Sequence, residues 1–165
     1  MTEAQRRNMN EFRLNQMTGD VPFPLHLMDE EERRTLPVAG DAEWIGLSAP
    51  EIHMIVTAGW KHLGGFAGTV LNVHDIAKET EKNIRRTLAA SGYETEGFKA
   101  YQVRAPKAEG FRYTYTVQGT AMTAETCVVK TGRDLYELHF YSRTETLDEC
   151  LPVWEELLAS LRWQN

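Results

Sequence analysis

Apolar and polar residues alternate most regularly in the second half of the chain. Residues 111–117, Phe-Arg-Tyr-Thr-Tyr-Thr-Val, place an aromatic or aliphatic side chain at every second position, which is typical of a β-strand with one buried face. Short turn sequences at 119–120 and 131–134 separate this segment from the next two, and such turns join antiparallel neighbours. The pattern predicts an antiparallel meander of four strands, over about residues 98–105, 111–117, 122–130 and 135–142.

Two more strands are predicted ahead of this meander. Residues 43–48 read Glu-Trp-Ile-Gly-Leu-Ser and end at Ala49-Pro50, where a helix cannot continue. Residues 51–60 are rich in β-branched side chains and have apolar residues on both sides of the predicted strand. Because a strand of this kind is covered on both faces, we expect helices on both sides of the sheet.

Two segments have the three- and four-residue spacing of an amphipathic helix. The first begins at Asn72 or a neighbour, which can cap it, and Gly92 ends it. The second follows Thr146, which has Glu149 three residues later, the spacing of a capping box. Its wide apolar stripe is that of a helix docked on a sheet, and Pro152 falls near its first turn, where proline is tolerated.

The first forty residues have the least regular pattern. Two prolines in residues 21–25 impose an extended or turning path, and residues 29–34 can form one helical turn with Glu30 paired to Arg34. We therefore expect an irregular N-terminal arm over about residues 1–40. The elements together predict an α+β fold, an antiparallel β-sheet of about six or seven strands flanked by α-helices on both faces.

Length and composition indicate a single domain, residues 1–165. The chain is 42% hydrophobic and 25% charged, and its length matches one domain of ~100–200 residues. No run approaches the ~20 apolar residues of a membrane-spanning helix, and no apolar segment follows Arg6 and Arg7 as in a secretory signal. We expect a cytoplasmic protein with no membrane span. The net charge of −6 argues against a nucleic-acid partner, which requires a basic surface.

The sequence has no residue spacing that specifies catalysis or metal binding. The five histidines form no HxH or HExxH pattern, no serine lies in GxSxG, and Cys127 and Cys150 are far apart. Both cysteines are expected to be buried free thiols. A site built from His139, Glu137 and Glu125 requires that they meet across the hairpins; the alternative is that they are ordinary polar positions of a sheet. The sequence predicts a protein that is not an enzyme and has no cofactor and no metal.

Aromatic residues are the candidates for partner binding, since large amphipathic rings are favoured at interfaces. The alternative is that most of them pack beneath the two helices. An acidic segment is a second feature: residues 133–165 contain three Arg, no Lys and seven Asp or Glu. This excess of negative charge indicates a solvated helix face or a basic partner. The candidate partner-binding residues are Trp44, Trp60, Tyr113, Tyr115, His139 and Tyr141.

Three segments resemble a known superfamily. They are the aromatic strand FRYTYTVQG at 111–119, VVKTGRDLYELHFYSR at 128–143, and the helix end LLASLRW at 157–163. Together they are similar to the Mog1/PsbP-like superfamily, in its branch of bacterial domains of unknown function. The resemblance covers about residues 20–163 and implies an antiparallel sheet with helices on both faces.

Proteins of this superfamily are mostly non-enzymatic. They include a binding partner of a small nuclear GTPase, an extrinsic photosystem subunit, and bacterial proteins related to secretion chaperones and envelope proteins. The resemblance therefore implies protein binding by analogy of fold, and no functional residue is carried over from it.

Two functional hypotheses follow. The first is a non-catalytic cytoplasmic module, adaptor or chaperone-like, that binds another protein. The sequence leaves open whether this module also forms a homodimer. The alternative is a small-molecule-binding protein or an enzyme with a pocket between sheet and helix, lined by Tyr113, Tyr115 and His139.

Overall fold

The computed structural model describes residues 10–36, 43–104 and 107–164. Within these ranges the strands are β1 (Glu11–Leu14), β2 (Met17–Asp20), β3 (His26–Leu27), β4 (Glu43–Ala49), β5 (Met54–His62), β6 (Glu94–Ala100), β7 (Ala108–Val117), β8 (Thr120–Thr131), β9 (Asp134–Arg143) and β10 (Arg162–Trp163). The helices are α1 (Glu30–Arg34), α2 (Ala67–Val70), α3 (Val73–Thr87) and α4 (Leu147–Ser160). Among them, none is long and apolar enough to cross a membrane.

The main sheet has seven antiparallel strands in the order β3-β4-β5-β9-β8-β7-β6. This confirms the predicted α+β class, the antiparallel sheet and the strand number. The long hairpin strands β7, β8 and β9 match the predicted meander. The strand predicted at 98–105 lies earlier, at Glu94–Ala100, because a bulge between Thr95 and Phe98 with Gly97 at φ 93° interrupts the alternation there.

The N-terminal arm is more regular than predicted. Strands β1 and β2 form a hairpin whose turn includes Asn15 at φ 56°, and β10 at the far end of the chain adds the third strand of this small sheet. The expectation of an irregular arm is wrong for these residues, while residues 1–9 and 37–40 of the arm lie outside the described ranges. The predicted helical turn is α1, with Glu30 and Arg34 paired at 3.3 Å.

Helices cover both faces of the main sheet, as predicted. Alternation along each strand divides the central residues into an α4 face and an α3 face. On the α4 face, which holds the largest core cluster, Phe140 stacks on Trp154 of α4 at 5.3 Å between ring centroids. On the α3 face, Phe111 and Tyr113 pack against Ile84 of α3.

The two main helices begin differently. The Asn72 side chain accepts a backbone N–H of the first turn of α3 at 2.9 Å, which confirms the predicted cap, and Gly92 at φ 73° ends the 3-10 turn after α3. The capping box predicted at Thr146 is wrong: its hydroxyl donates to the carbonyl of Ile52 at 2.7 Å instead of capping α4. Pro152 lies inside α4, beyond its first turn.

Candidate functional site

Four of the six candidate residues lie together on the α3 face. Tyr113 of β7 is paired with Ala124 of β8, which is paired with Tyr141 of β9, so the two tyrosines flank one small residue. Tyr115 and His139 lie two residues along their strands and therefore on the same face. The alternative hypothesis grouped Tyr113, Tyr115 and His139, whereas the position of Tyr141 beside them was not predicted, because it depends on the register of three strands.

The two tryptophans lie elsewhere. Trp44, near the β4 edge of the sheet, has the guanidinium of Arg33 4.7 Å from its ring centroid. Trp60 is paired with Tyr136 and faces the α4 side, where its Nε1 donates to Asp134 at 3.1 Å. Both are half-buried. The structure therefore separates them from the tyrosines, and the six residues do not form one surface.

The three tyrosines line a cleft between the sheet and α3, which we call the tyrosine cleft. Its volume is about 570 Å³. Ile84 of α3 and Leu88, the residue after α3, line it from the helix side, Leu36 after α1 also lines it, and the strands form the floor. The eleven described residues that line it are Leu36, Ile55, Thr57, Asn83, Ile84, Thr87, Leu88, Tyr113, Tyr115, Met122 and Tyr141.

The tyrosine cleft is uncharged. None of the described lining residues has an ionisable group other than the three phenols. Burial, followed by the neighbouring phenols, raises the pKa of Tyr113, and burial raises the pKa of Tyr115. Burial and then Tyr115 raise the pKa of Tyr141 to about 12. The phenols therefore stay neutral at physiological pH, and the cleft offers apolar surface and neutral hydroxyls to a ligand.

His139 lies beside the cleft and does not line it. Its ring stacks on Tyr141 at 6.3 Å, its Nδ1 is 3.0 Å from the Thr126 hydroxyl, and its Nε2 is 3.7 Å from Glu137. Burial alone would raise the pKa of Glu137, but the hydrogen bond and charge of His139 hold it below its usual value. The pocket lined by Tyr113 and Tyr115 was predicted; the prediction that His139 lines it is wrong.

The proposed constellation of His139, Glu137 and Glu125 does not form. Glu125 is paired with Phe140 and shares its α4 face, whereas His139 and Glu137 lie on the α3 face. Thr126, the hydroxyl nearest to His139, is fully buried, so it lacks the access that a nucleophile needs. His139 connects β9 to β8 through Thr126, and Glu125 connects β8 to β7 through Arg112.

A charged cluster around Glu125 was missed by the sequence reasoning. The Glu125 side chain is 1% exposed. It accepts hydrogen bonds from the Tyr101 hydroxyl at 2.5 Å and from Arg112 at 2.7 and 3.0 Å, and Lys99 lies 2.7 Å away. Tyr101 reaches it across Gly110, where a Cβ would lie 2.9 Å from the tyrosine ring. We name this group the Glu125 cluster.

One signal in the sequence was available for the Glu125 cluster. Glu125 alternates with Cys127 and Val129 on one face of an apolar strand, and a carboxylate there must be paired. Burial acts to raise the pKa of Glu125, but the hydrogen bonds from Lys99, Tyr101 and Arg112 outweigh it and lower the pKa.

The two cysteines and the residue types that bind metals were also examined for a site among the described residues. Cys127 and Cys150 are buried and free, as predicted, and burial raises the pKa of both thiols. Across residues 10–36, 43–104 and 107–164, His, Cys, Asp and Glu form no group of three or more that could hold a metal ion.

Comparison with known proteins identifies the fold. No family model matches the sequence. No curated protein matches it either. The solution structure of cyanobacterial PsbP (CyanoP) from Synechocystis sp. PCC 6803 is similar over 93% of this chain and 91% of that chain, with 8% identity and a TM-score of 0.67.

Two further solved structures extend the comparison. LpqN, involved in cell envelope biogenesis of Mycobacterium tuberculosis, matches over 100% of this chain and 98% of its own, with 14% identity and a TM-score of 0.65. The immunity protein TplEi of T6SS from Pseudomonas aeruginosa, complexed with "L" peptide, matches over 97% and 81%, with 13% identity and a TM-score of 0.51. The chain therefore has a Mog1/PsbP-like fold, as its resemblance implied. At these identities the likeness concerns the fold alone.

Proposed function

We propose that this protein is a non-catalytic binding protein that holds an apolar segment of another protein in its tyrosine cleft. The observation that carries this proposal is the cleft itself, an uncharged cavity of about 570 Å³ with Tyr113, Tyr115 and Tyr141 on its floor. Tyrosine is enriched among the residues that dominate binding energy, because a rigid ring contributes a large contact area and its hydroxyl can still hydrogen bond.

The cleft favours binding of apolar groups because it has no charged side chain. Binding in the cleft desolvates no charged group of this protein, and each Å² of apolar surface removed from water contributes ~25 cal/mol to the free energy of binding. Neutral phenols add hydrogen bonds without the cost of a buried ion. TplEi, which has the same fold, is complexed with a peptide, and this is consistent with a peptide-binding role.

The test uses one charge placed on either side of the same strand. Tyr115→Glu places a carboxylate in the cleft, whereas Thr116→Glu places it at the next residue, which is exposed and points to the opposite face. Each variant is used as bait in a native lysate beside the unmodified protein, and captured proteins are quantified. We expect a partner that Thr116→Glu retains and Tyr115→Glu loses at least tenfold.

Two results would contradict the proposal. One is that the Tyr115→Glu protein captures the same partner as well as the unmodified protein does, which would show that the partner binds outside the cleft. The other is repeated capture that yields no partner dependent on Tyr115. Circular dichroism of both variants verifies that the comparison is between folded proteins.

A small apolar molecule is the second candidate occupant, because the cleft volume lies in the ~300–1,000 Å³ range of small-ligand pockets. A library of neutral apolar compounds is screened by thermal shift. A true ligand at 100 times its Kd stabilises the fold by ~2.7 kcal/mol, and the shift should vanish in Tyr115→Glu. Flat melting curves across the library would eliminate this candidate.

Location and self-association stay predictions from the sequence. A cytoplasmic location is tested by cell fractionation with an antibody to this chain. Light scattering of the purified protein tests for a homodimer, and a monomeric mass at tens of micromolar would argue against it.

A further inference from the structure

The loop between β2 and β3 presents an exposed aromatic side chain. Phe23 is 91% exposed, the highest value among the large hydrophobic residues of the described chain. Pro22 and Leu25 on either side of it are buried, and the N–H of Leu25 donates to the carbonyl of Pro22 at 2.8 Å. The backbone therefore turns tightly and holds the ring outward, and an exposed apolar feature of this kind is typical of an interaction surface. We call residues 21–25 the Phe23 tip.

The Phe23 tip is conformationally restricted. The rings of Pro22 and Pro24 limit the backbone on both sides of Phe23, because proline fixes its own φ and also restricts the residue before it. Val21 and Leu25 anchor the two ends of the tip on the core cluster of the α4 face. A segment that is already rigid loses little conformational entropy on binding, so more of its contact energy is available to a complex.

Neither the Phe23 tip nor the tyrosine cleft has a charged group. Residues 21–25 contain no ionisable side chain, and the phenols are the only ionisable groups of the described cleft residues. The charged residues at the two ends of the tip have partners within their own molecule: Asp20 lies 3.4 Å from Arg162, and His26 lies 2.8 Å from Glu32. A contact between tip and cleft would bury apolar surface without desolvating an unpaired charge.

The hydrogen-bonding groups of the two surfaces are complementary as well. The prolines of the tip have no N–H, and the carbonyls of Phe23 and Pro24 accept no backbone hydrogen bond from the described residues. The tip therefore offers acceptors in excess of donors. The cleft offers donors, because each neutral phenol has an O–H and the Asn83 side chain has an amide N–H₂.

The tip does not fill the cleft of its own chain. Val21 and Leu25 pack with the α4-face core, whereas Tyr113 and its aromatic neighbours belong to the α3-face cluster. Phe23 is almost fully exposed, so its ring contacts no cleft in the single chain. A tip that enters a cleft must therefore belong to another molecule.

We propose that the Phe23 tip of one molecule binds in the tyrosine cleft of a second copy of this chain. This inference rests on the proposed function, because it uses the same cleft for an apolar segment, and it adds a regulation: a cleft that holds a tip cannot hold a partner. The contact joins two different surfaces and is heterologous, so each molecule contributes a tip to one neighbour and a cleft to another or to the same one.

Analytical ultracentrifugation of the full chain tests the self-association. The weight-average mass is measured up to ~500 µM, a concentration that detects weak complexes. We expect the mass of the unmodified protein to rise with concentration and Phe23→Ser to weaken the association at least tenfold. Phe66→Ser is the matched control: Phe66 is 81% exposed, but it follows Gly64 and Gly65 and has no proline beside it, so its loss should leave the association unchanged.

Two variants that each lack one surface give a complementary test. Phe23→Ser retains the cleft and Tyr115→Glu retains the tip, so each alone should be monomeric and an equimolar mixture should form a 1:1 complex. If Tyr115→Glu does not fold, Asn83→Arg replaces it, because Asn83 is an exposed residue of α3 that lines the cleft.

Three results would overturn the proposal. A monomeric mass of the unmodified protein at ~500 µM excludes the self-association. An equal loss of association in Phe66→Ser and Phe23→Ser shows unspecific contact between exposed rings. A mixture of Phe23→Ser and Tyr115→Glu that stays monomeric excludes the contact between tip and cleft.

These outcomes are distinguishable from those of the lysate capture. A partner that depends on Tyr115 supports the proposed function even where the purified chain is monomeric, and only the self-association is then wrong. A partner that ignores Tyr115 contradicts the proposed function even where the two variants form their 1:1 complex.

Discussion

Replacing Glu125 by glutamine should destabilise the protein more than any comparable change of an exposed carboxylate. The Glu125 side chain is 1% exposed and has Lys99, Tyr101 and Arg112 as partners. An amide of the same shape cannot neutralise the two cations, which remain in place. The expected loss in the free energy of unfolding is therefore that of removing one charged partner from a buried ion pair.

The magnitude follows from how deeply the partners lie. Removing one member of a fully buried pair costs about 3–5 kcal/mol. Here the Lys99 side chain is 43% exposed and that of Arg112 23%, so both can recover part of their hydration. The lower end applies, about 3 kcal/mol, which for a chain of this size lowers Tm by about 6–12 °C.

Urea unfolding followed by circular dichroism measures this loss. Glu94→Gln is the matched control, since Glu94 is an exposed carboxylate on β6, outside the Glu125 cluster, and should change stability by less than about 0.5 kcal/mol. A Glu125→Gln protein that unfolds at the same urea concentration as the control would contradict this prediction, because the Glu125 cluster would then make no net contribution to stability.

The pH dependence gives a second measurement on the same residue. The pKa of Glu125 is lower in the folded protein than its usual 4.5, so the folded state favours the ionised form. Its contribution is fully present above pH 4.5 and is lost as pH falls through the folded pKa. The stability difference between the unmodified protein and Glu125→Gln should be constant from pH 5 to 7 and shrink below pH 4.5; a difference that grows on acidification has the wrong sign.

Three other experiments test the fold. Gly110→Ala should cost more than ~3 kcal/mol in urea unfolding, because a Cβ would overlap a backbone carbonyl of β8, whereas Gly64→Ala, with no described atom within 4 Å, should be nearly neutral; equal losses would contradict this. Cys127 and Cys150 should react with a thiol reagent at least ~100-fold more slowly in the native protein than in urea, since both are buried; fast native labelling would argue against their burial. Asn72→Ala should lower stability by about 1 kcal/mol and Asn72→Asp by much less, as the side-chain cap of α3 requires; equal effects of the two changes would exclude a capping role.

Local patterns predicted much of the fold correctly. The alternation in residues 111–117 predicted a strand of the sheet, and the spacing after Asn72 predicted α3 together with its cap. These features depend on residues within a few positions of one another, since strand period and helix caps are properties of a short segment. Thr146 shows the limit of prediction from local patterns. Thr146 and Glu149 have the spacing of a capping box, but the Thr146 hydroxyl donates its hydrogen bond to a carbonyl 94 residues away.

The site was predictable only in part. The sequence indicated that Tyr113 and Tyr115 share a face, because they are two residues apart on one strand. That Tyr141 joins them, and that Trp60 does not, follows from the pairing of β7, β8, β9 and β5. Pairing register decides which residues of distant segments become neighbours, and a shift of one residue would exchange the two faces.

From the sequence alone came the order of the strands β4 to β9 and the helices α3 and α4, the antiparallel α+β class and the burial of both cysteines. Only the folded structure shows that Glu125 and His139 lie on opposite faces, that β2 pairs with both β1 and β10, and that Tyr141 joins Tyr113 and Tyr115 in the cleft beside α3. The two kinds of feature differ because hydrophobic periodicity and turn residues depend on positions close together in sequence. The faces of the sheet, the cavities and the buried charge partners depend on how segments far apart in sequence pack together.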